Sequence, residues 1–507
     1  MAMGALIVTA CAAPIDKSVS SQGHIVPQTN PDIAQLVNRI TWGANTSVHQ
    51  QATSLGGTRY LNQQLHPGVA VLPSSIQLQI DGMTISQRPV ELLAKELDEQ
   101  RRSADANSDD AVKKVARENY QKELNRLARE AATRSLLRAT YSSNQLQEQM
   151  IWFWSNHFNV HQNKSIIRSL IGDYEEHAIR PHALGKFRDL LRATAHHPAM
   201  LLYLDNARNA VDRINENYAR ELMELHTLGV DAGYSQRDVQ ELARILTGVG
   251  INITDKAPNV KREWQSQYLR QGLFEFNPHR HDYGDKQFLG QVVRGRGLGE
   301  LDEALDRLSR HPATARFISR KLAVYFVTDT PPPALLDNMV RTFLRTDGDI
   351  AATLQTLFTS SEFTQSLGTK FKDPIHYVVS AVRLAYDGKP VLNAGPMLNW
   401  INRMGQTLYG HQTPDGYPMV ESAWASPGQM VTRFDIAKAI GSGSAGLFKI
   451  DGPQGPDRPA FPQLSNAVYF QSLQKSLSPA TRQALDQASS QQEWNTFLLS
   501  SPEMMRR

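Results

Sequence analysis

The chain has 507 residues, 41% hydrophobic and 21% charged, which is enough to bury a large core. Its 54 basic and 50 acidic residues are well mixed and give a formal net charge of +4, so composition offers no reason to expect a nucleic-acid partner. A single cysteine excludes an intramolecular disulfide.

That cysteine, Cys11, follows a short apolar run at residues 3–10, and the string Val8-Thr9-Ala10-Cys11 is similar to a bacterial lipobox. The run is too short to span a bilayer but suits the core of a signal peptide, although no Lys or Arg precedes it. The alternative is a chance cysteine in an apolar N-terminus. We predict a signal peptide and lipobox over residues 1–11 with Cys11 lipidated, and a flexible tether over 12–30. Ala12, directly after the cysteine, indicates sorting to the outer membrane, so we expect an envelope protein that faces the periplasm.

Apolar residues at helical spacing begin at residue 31 and recur along the chain. Short helices are predicted within 31–65, an amphipathic helix over 90–102 and a long charged helix over 111–139, separated by a polar break at 103–110. Residues 69–86 alternate in hydrophobicity and carry Pro and Gly near both ends, which predicts a loop or a brief hairpin.

Further helices are predicted over residues 144–160, 166–177, 187–195, 216–228, 236–247, 301–309, 312–326, 332–346, 350–358 and 374–385. Ser235 and Asp373 are suitable capping residues for two of them. Residues 251–297 and 405–427 are rich in Gly and aromatics and predict long functional loops. We expect a mainly α, large multi-helix globular domain over 31–450 with at most a small β element, on which a C-terminal loop and helices at 451–507 pack.

The densest polar string runs from Asn215 to His226. On a helix, Asn217, Glu221 and Glu224 lie on one face within about 60°. Such a group can hold a divalent cation or raise the pKa of one carboxyl for acid/base chemistry. The alternative is an exposed polar face on which Arg220 pairs with a neighbouring glutamate.

A second string, residues 152–161, places His157 and His161 among aromatic side chains. Aromatic neighbours indicate burial, so these imidazoles need hydrogen-bond partners. For His157, a core histidine bonded to a backbone carbonyl and a functional-site residue are equally compatible with the string. For His161 we favour the structural interpretation. His182 follows a proline at a predicted helix break, where its ring can face a cavity. His197 and His311 each precede a proline and are typical of helix starts.

A third string, in the first long loop, contains His281 and Asp282. These two residues can supply a metal ligand and its orienting carboxylate, or form a hydrogen-bonded turn. The chain has no GxGxxG after a strand, no Walker loop, no GxSxG elbow, no HExxH and no CxxC. Dinucleotide, ATP-phosphate and standard serine-hydrolase chemistry are therefore disfavoured.

These strings resemble bacterial exported proteins of the domain-of-unknown-function 1800 family. The similarity lies at residues 38–43, 154–158, 179–188, 197–200, 203–206, 215–230 and 311–315, and extends to the loop around Tyr417 and Trp424. It implies a mostly helical exported protein, with genes that often lie beside those of a sulfatase-like family, and assigns no reaction. His161, Lys186 and the loop beginning at His411 depart from the pattern.

Two hypotheses follow from these observations. In the first, His157, His182, Asn217, Glu221 and Glu224 converge in a polar cleft, with His281 and Asp282 added by the long loop, and the protein is a metal-assisted or carboxylate acid/base enzyme acting on an envelope or extracellular glycan. In the second, it is a non-catalytic scaffold or glycan-binding lipoprotein, in which Trp152, Trp154, Tyr417 and Trp424 form stacking surfaces.

Overall fold

The computed structural model describes residues 32–254, 256–449 and 459–507. In these ranges the chain forms 24 α-helices and two small antiparallel sheets, which confirms the predicted mainly α fold. The predicted lipobox at Cys11 and the tether over residues 12–30 lie outside the described residues. None of the described helices is both long and apolar enough to cross a membrane.

The helices of the first half of the chain are α1 (Ile33–Ile40), α2 (Thr46–Leu55), α3 (Gly57–Leu65), α4 (Ser74–Asp81), α5 (Thr84–Gln87), α6 (Val90–Ala106), α7 (Asp110–Tyr141), α8 (Gln145–His157), α9 (Ile167–Asp173), α10 (Phe187–His196), α11 (Pro198–Tyr203) and α12 (Asn217–Glu224). A π-helix over Tyr174–Ile179 continues α9, and a 3-10 turn over Arg180–His182 follows it.

The helices of the second half are α13 (Gln236–Ile245), α14 (Gly299–Arg310), α15 (Pro312–Phe326), α16 (Pro333–Arg345), α17 (Ile350–Phe358), α18 (Ser361–Ser366), α19 (Pro374–Ala385), α20 (Gly395–Arg403), α21 (Pro427–Gly441), α22 (Gln474–Ser476), α23 (Pro479–Asp486) and α24 (Gln491–Ser500). Helix α24 packs against α21 and α23, so the end of the chain joins the main body.

Residues 69–86 correct one prediction, because they form α4 and α5 rather than a hairpin. Ile76, Leu78 and Ile80 alternate with polar residues, which is typical of a strand. In the structure Ile76 and Ile80 are buried, whereas Leu78 is 71% exposed. The buried pair has the i, i+4 spacing of a helix, and one exposed leucine created the false alternation.

The predicted long charged helix is α7, whose 32 residues extend about 48 Å. Its C-terminal half joins the main core. Its N-terminal half pairs with α6 around a separate small cluster of Leu93, Leu97, Tyr120, Leu124 and Leu127. Ion pairs cover the outside of this hairpin, so the charged residues are a solvated face as predicted.

The small β element predicted within residues 251–297 is present as five short strands. They are β1 (Val249–Ile251), β2 (Leu269–Gln271), β3 (Phe274–Phe276), β4 (Lys286–Phe288) and β5 (Gln291–Val293). The first sheet has the order β1-β3-β2, with Phe276 opposite both Val249 and Leu269, and β4 pairs with β5.

The predicted helix starts are also confirmed. Ser235 and Asp238 form a reciprocal capping box, and the Asp373 carboxylate accepts from the His376 backbone N–H at 2.9 Å. His197 and His311 cap α11 and α15, because each Nδ1 accepts a backbone N–H two residues later at 3.1 Å. The His-Pro strings are thus helix starts.

Buried arginines bind the ends of helices inside the core. The guanidinium of Arg39 is inaccessible to solvent and donates to the carbonyl oxygens of Phe326 and Ser366, the last residues of α15 and α18. It also donates to the Arg507 carbonyl at 2.6 Å. Because the last carbonyls of a helix have no partner within it, a buried helix end requires such a donor.

We expect Arg39→Ala to lower the free energy of unfolding by about 3 kcal/mol or more, since several buried carbonyls lose their donors at once. Urea denaturation measures the change. The matched control is Arg316→Ala, which removes an exposed pair with Asp337 and should cost less than about 0.5 kcal/mol. Equal losses in the two variants would contradict this role of Arg39.

Candidate functional site

Helix α12 carries the polar string on one face and core residues on the other. Its buried side chains are Tyr218, Ala219, Leu222 and Met223. Glu221 and Glu224 lie half-buried on the remaining surface. The amphipathic spacing therefore fixes which residues face outward, and the two carboxylates share the exposed face as the helical geometry predicted.

Asn217 holds the start of this helix in place. Its side-chain amide donates to the Leu204 carbonyl at 3.1 Å, and its backbone N–H donates to the Asn215 side chain at 3.0 Å. The Asn215 backbone N–H in turn donates to the side chain of Asn209 at 2.9 Å. The geometry thus gives Asn217 a positioning role at the end of the helix opposite to Glu224.

Arg220 pairs with two glutamates, as the alternative interpretation of the string anticipated. Its guanidinium lies 3.2 Å from Glu216 and 3.4 Å from Glu224. The Tyr234 hydroxyl also hydrogen-bonds Glu224. Glu221, in contrast, has no ion pair within the described residues. Of the two predicted carboxylates, Glu221 is therefore the more available for chemistry.

The second long loop docks on α8 beside this face. The Asn156 side chain donates to the Tyr417 carbonyl at 2.9 Å and accepts from the Tyr417 N–H at 2.7 Å. Asn159 donates to the carbonyls of His411 and Thr413. Gly416 lies so close to α8 that a Cβ there would meet the Asn156 carbonyl oxygen at 2.1 Å. Two asparagines and a glycine thus position the loop.

The docked loop brings Asp415 to α12. The Asp415 carboxylate accepts from the Thr413 hydroxyl at 2.6 Å and remains 61% exposed. Its charge raises the pKa of Glu221 and of Tyr203 and favours the charged form of Lys321. We call Glu221, Glu224 and Asp415 the carboxylate cluster, since the charges of Glu224 and Asp415 both act on Glu221.

Two groups beside Asp415 have unusual proton affinities. Partial burial, with the charges of Glu224 and Asp415, raises the pKa of Glu221 above its ordinary value. Burial lowers the pKa of Lys321, on α15, to about 8. An acid that holds its proton more strongly and an amine that releases it more easily are what acid/base chemistry near neutral pH requires.

Two buried imidazoles lie behind the end of α12. His157 Nε2 donates to the His226 carbonyl at 3.0 Å, which leaves His157 Nδ1 buried without a partner in the part of the chain that the structure describes. Both ring nitrogens of His226 are likewise buried and unpartnered there. Burial lowers the pKa of His157 well below its ordinary value and that of His226 to about 3, so both rings are neutral. His157 is therefore a core histidine bonded to a carbonyl, and it lies on the buried side of α12.

The remaining predicted residues lie elsewhere. His182 is half-buried in its 3-10 turn, and the nearby charge that acts on it is Asp189. His281 is enclosed, with Nδ1 2.8 Å from the Thr247 carbonyl and Nε2 2.9 Å from Glu300. The structure therefore does not bring together around one cavity the five residues predicted to converge, which are His157, His182, Asn217, Glu221 and Glu224.

His281 and Asp282 belong to a structural ion network. Glu300 accepts hydrogen bonds from both His281 and Lys286, with no solvent exposure of any of the three side chains, and Asp282 pairs with Arg244 at 2.7 Å. Both nitrogens of His281 are thus occupied by protein groups. In the described ranges, no group of three or more His, Cys, Asp or Glu side chains could hold a metal ion.

The aromatic residues proposed as stacking surfaces are mostly enclosed. Trp154 is fully buried and donates its indole N–H to the Ala183 carbonyl at 2.9 Å. Trp424 is 6% exposed and donates to the Pro418 carbonyl at 2.8 Å. Trp152 and Tyr417 are half-buried. Two of the four rings therefore have no face that could receive a sugar.

Sequence-based reasoning missed Asp415, Lys321 and Tyr203. Lys321 stands in the helical turn Ile318-Ser319-Arg320-Lys321-Leu322, in which Arg320 is exposed. Only the i, i+4 spacing of Lys321 to Phe317 and Tyr325 could have indicated its partial burial. Asp415 stands in the loop that begins at His411, without a local signal of its electrostatic effect on Glu221.

We expect Gly416→Ala to release the loop from α8, because its φ of +75° and the 2.1 Å contact both oppose a side chain. Hydrogen exchange of the Tyr417 amide should accelerate at least tenfold. The control is Gly405→Ala, at a φ of +85° with nothing within 4 Å, which shares the backbone strain but not the collision. Unchanged exchange in Gly416→Ala would contradict the docking contact.

A family model described as "Protein of unknown function (DUF1800)" matches residues 35–506, nearly the whole chain. No curated protein and no solved structure matches the chain. The match includes α12, α15 and the docked loop, so the carboxylate cluster lies within the family's own domain. The chain belongs to the family of proteins of unknown function designated DUF1800.

Proposed function

We propose that this protein is a hydrolase of an envelope or extracellular glycan, with Glu221 as general acid. The observation that carries the proposal is that Glu221 has no ion pair in the described part of the chain. Its partial burial and the charges of Glu224 and Asp415 raise its pKa more than the charge of Arg220 lowers it. A carboxyl in this environment keeps a proton at higher pH than a free glutamic acid and can deliver it to a leaving oxygen.

Asp415 is the complementary group. It is more exposed than Glu221, it accepts a hydrogen bond from Thr413, and it lies within electrostatic reach of the Lys321 ammonium. In this proposal Asp415 takes a proton from water as the water attacks the anomeric carbon. The glycosidic oxygen leaves with the proton of Glu221, so two carboxyl groups complete the hydrolysis.

Polymer substrates suit the position of the carboxylate cluster. The cluster lies on an open helix face beside a docked loop, where a long chain can lie across the surface. The exposed side chain of Asn217 adds a hydrogen-bonding group of the kind that binds sugars. A sulfatase-like partner protein is part of the proposal, on the strength of the family resemblance alone.

We also propose that Cys11 anchors the protein by lipid to the outer membrane, facing the periplasm. Residues 12–30 then give the domain reach from the membrane surface toward the glycan. The pattern of the apolar run followed by Val8-Thr9-Ala10-Cys11 supports this location.

The first test replaces the general acid. We expect Glu221→Gln to reduce the release of soluble saccharides from purified cell-envelope glycan at least 100-fold, because the amide cannot donate an acidic proton. Glu216→Gln, on the same exposed surface and paired with Arg220, is the matched control and should keep activity. Full activity in Glu221→Gln would contradict the proposal.

The second test uses pH. Since the pKa of Lys321 falls from 10.5 to about 8 on folding, the unfolded chain binds more protons between these values, and stability rises with pH across that interval. We expect Lys321→Met to be more stable than the wild type at pH 7, by at most about 3 kcal/mol, and the difference to shrink by pH 10. Urea denaturation of both proteins at pH 7, 8.5 and 10 measures it. A constant difference would refute the lowered pKa.

The third test concerns the anchor. In cells expressing Cys11→Ser, the protein should move from the membrane fraction to the soluble fraction or remain unprocessed, whereas Ser18→Ala in the tether should leave it in the membrane. Labelling with a radioactive fatty acid gives a second readout, expected in the wild type and absent in Cys11→Ser. An unlabelled wild-type protein would rule out lipidation.

A further inference from the structure

A second group of polar residues lines a groove outside the carboxylate cluster. The groove has a volume of about 720 Å³. Its walls are the segment joining α5 to α6, the end of α9 with the π-helix, the junction of α10 and α11, and the turn between β2 and β3. A cavity of this size accommodates a small-molecule ligand or one segment of a polymer.

Asp173 lies in this groove between two imidazoles. Its Oδ2 is 3.0 Å from His197 Nε2, and its Oδ1 is 2.6 Å from His177 Nδ1. His197 Nδ1 accepts the Ala199 backbone N–H, so the proton of His197 resides on Nε2 and is donated to Asp173. This hydrogen bond from His197 holds the Asp173 carboxylate in place.

The other imidazole is thereby oriented for catalysis. Because the carboxylate of Asp173 only accepts, His177 carries its proton on Nδ1, and its Nε2 presents a free lone pair. The side chain of His177 is 71% exposed and lines the groove. Hydrogen bonds and charges from His197 and His177 outweigh the effect of burial and lower the pKa of Asp173, which keeps it ionised. A histidine whose Nδ1 donates to an ionised carboxylate and whose Nε2 is accessible can act as a general base, and His177 has this arrangement with Asp173.

Two further features indicate a built site. His177 stands in the π-helix over Tyr174–Ile179, and such wide turns occur frequently at functional sites. His196 also lines the groove. Its Nδ1 donates to the Arg192 carbonyl at 2.8 Å, which leaves its buried Nε2 as an acceptor without a partner in the described residues. A ligand with a hydroxyl or amide N–H would satisfy that nitrogen.

The lining of the groove indicates the class of ligand. Apolar side chains from every wall, among them Leu93, Leu170, Pro198 and Phe274, face the same space as the imidazoles. The guanidinium of Arg88 is paired with Glu96, so its charge is compensated. Apolar walls with hydrogen-bonding rings suit a neutral amphipathic molecule better than an ionic one.

We propose that this groove is a second catalytic site, independent of the carboxylate cluster, in which His177 acts as general base in hydrolysing a neutral acyl ester. His177 Nε2 takes a proton from water as the water oxygen bonds to the ester carbonyl carbon. The bond from that carbon to the alcohol oxygen then breaks, and the alcohol leaves with the proton from Nε2. Ester and water give acid and alcohol, and His177 is regenerated. Asp173 is a positioning residue.

The test uses the full-length protein and p-nitrophenyl butyrate, a neutral ester. We expect His177→Gln to lower kcat/KM at least tenfold, since general base catalysis contributes about 10² or more. The control is His66→Gln, an exposed imidazole with no carboxylate partner among the described residues, which should leave the rate unchanged. Equal rates for wild type and His177→Gln, or equal losses in both variants, would overturn the proposal.

Two further variants test the geometry. Ser86→Trp places a ring at the rim of the groove and should raise KM with little change in kcat, whereas an unchanged KM would place the reaction elsewhere. Asp173→Asn should slow hydrolysis and shift the His177 proton from Nδ1 to Nε2, as seen in the nitrogen chemical shifts of the ring. An unaltered tautomer in a folded Asp173→Asn protein would refute the positioning role.

Discussion

The bond between a buried guanidinium and the carbonyl oxygens at a helix end is the interaction on which this fold depends. A domain assembled from many short helices buries many helix ends, and each leaves carbonyls that need donors. Arg39 supplies them to α15 and α18, and Arg383 supplies one to Thr140 near the end of α7. Arginine suits the task because five N–H groups on one rigid plane can reach several carbonyls.

The same bonds hold the helices that carry the candidate site. Arg507 donates to Gln149 on α8 and to the Tyr325 carbonyl on α15, so one side chain ties together the helices that bear His157 and Lys321. Because α8 is fixed in this way, the docked loop has a fixed partner in Asn156. The position of Asp415 therefore depends on the core as well as on its own loop.

What could be predicted from the sequence was local. Periodicity found most helices, and spacing placed Glu221 and Glu224 on one face, because both depend only on neighbours within a few turns. The residues whose role was predicted wrongly depended on distant partners: His281 is hydrogen-bonded to Thr247 and Glu300, which no spacing rule connects. Asp415 reaches α12 only because Gly416 allows its loop to touch α8, a contact between residues about 260 positions apart.

The two proposed sites use a carboxylate in opposite ways, and the difference follows from its donors. Glu221 is partly buried beside other carboxylates and has no ion pair in the described structure, so its neutral form is favoured despite the charge of Arg220 and it can act as an acid. Asp173 receives hydrogen bonds from two imidazoles, so its charged form is favoured and it can orient a base. The first arrangement costs folding stability, since like charges are brought together, whereas the second contributes to it.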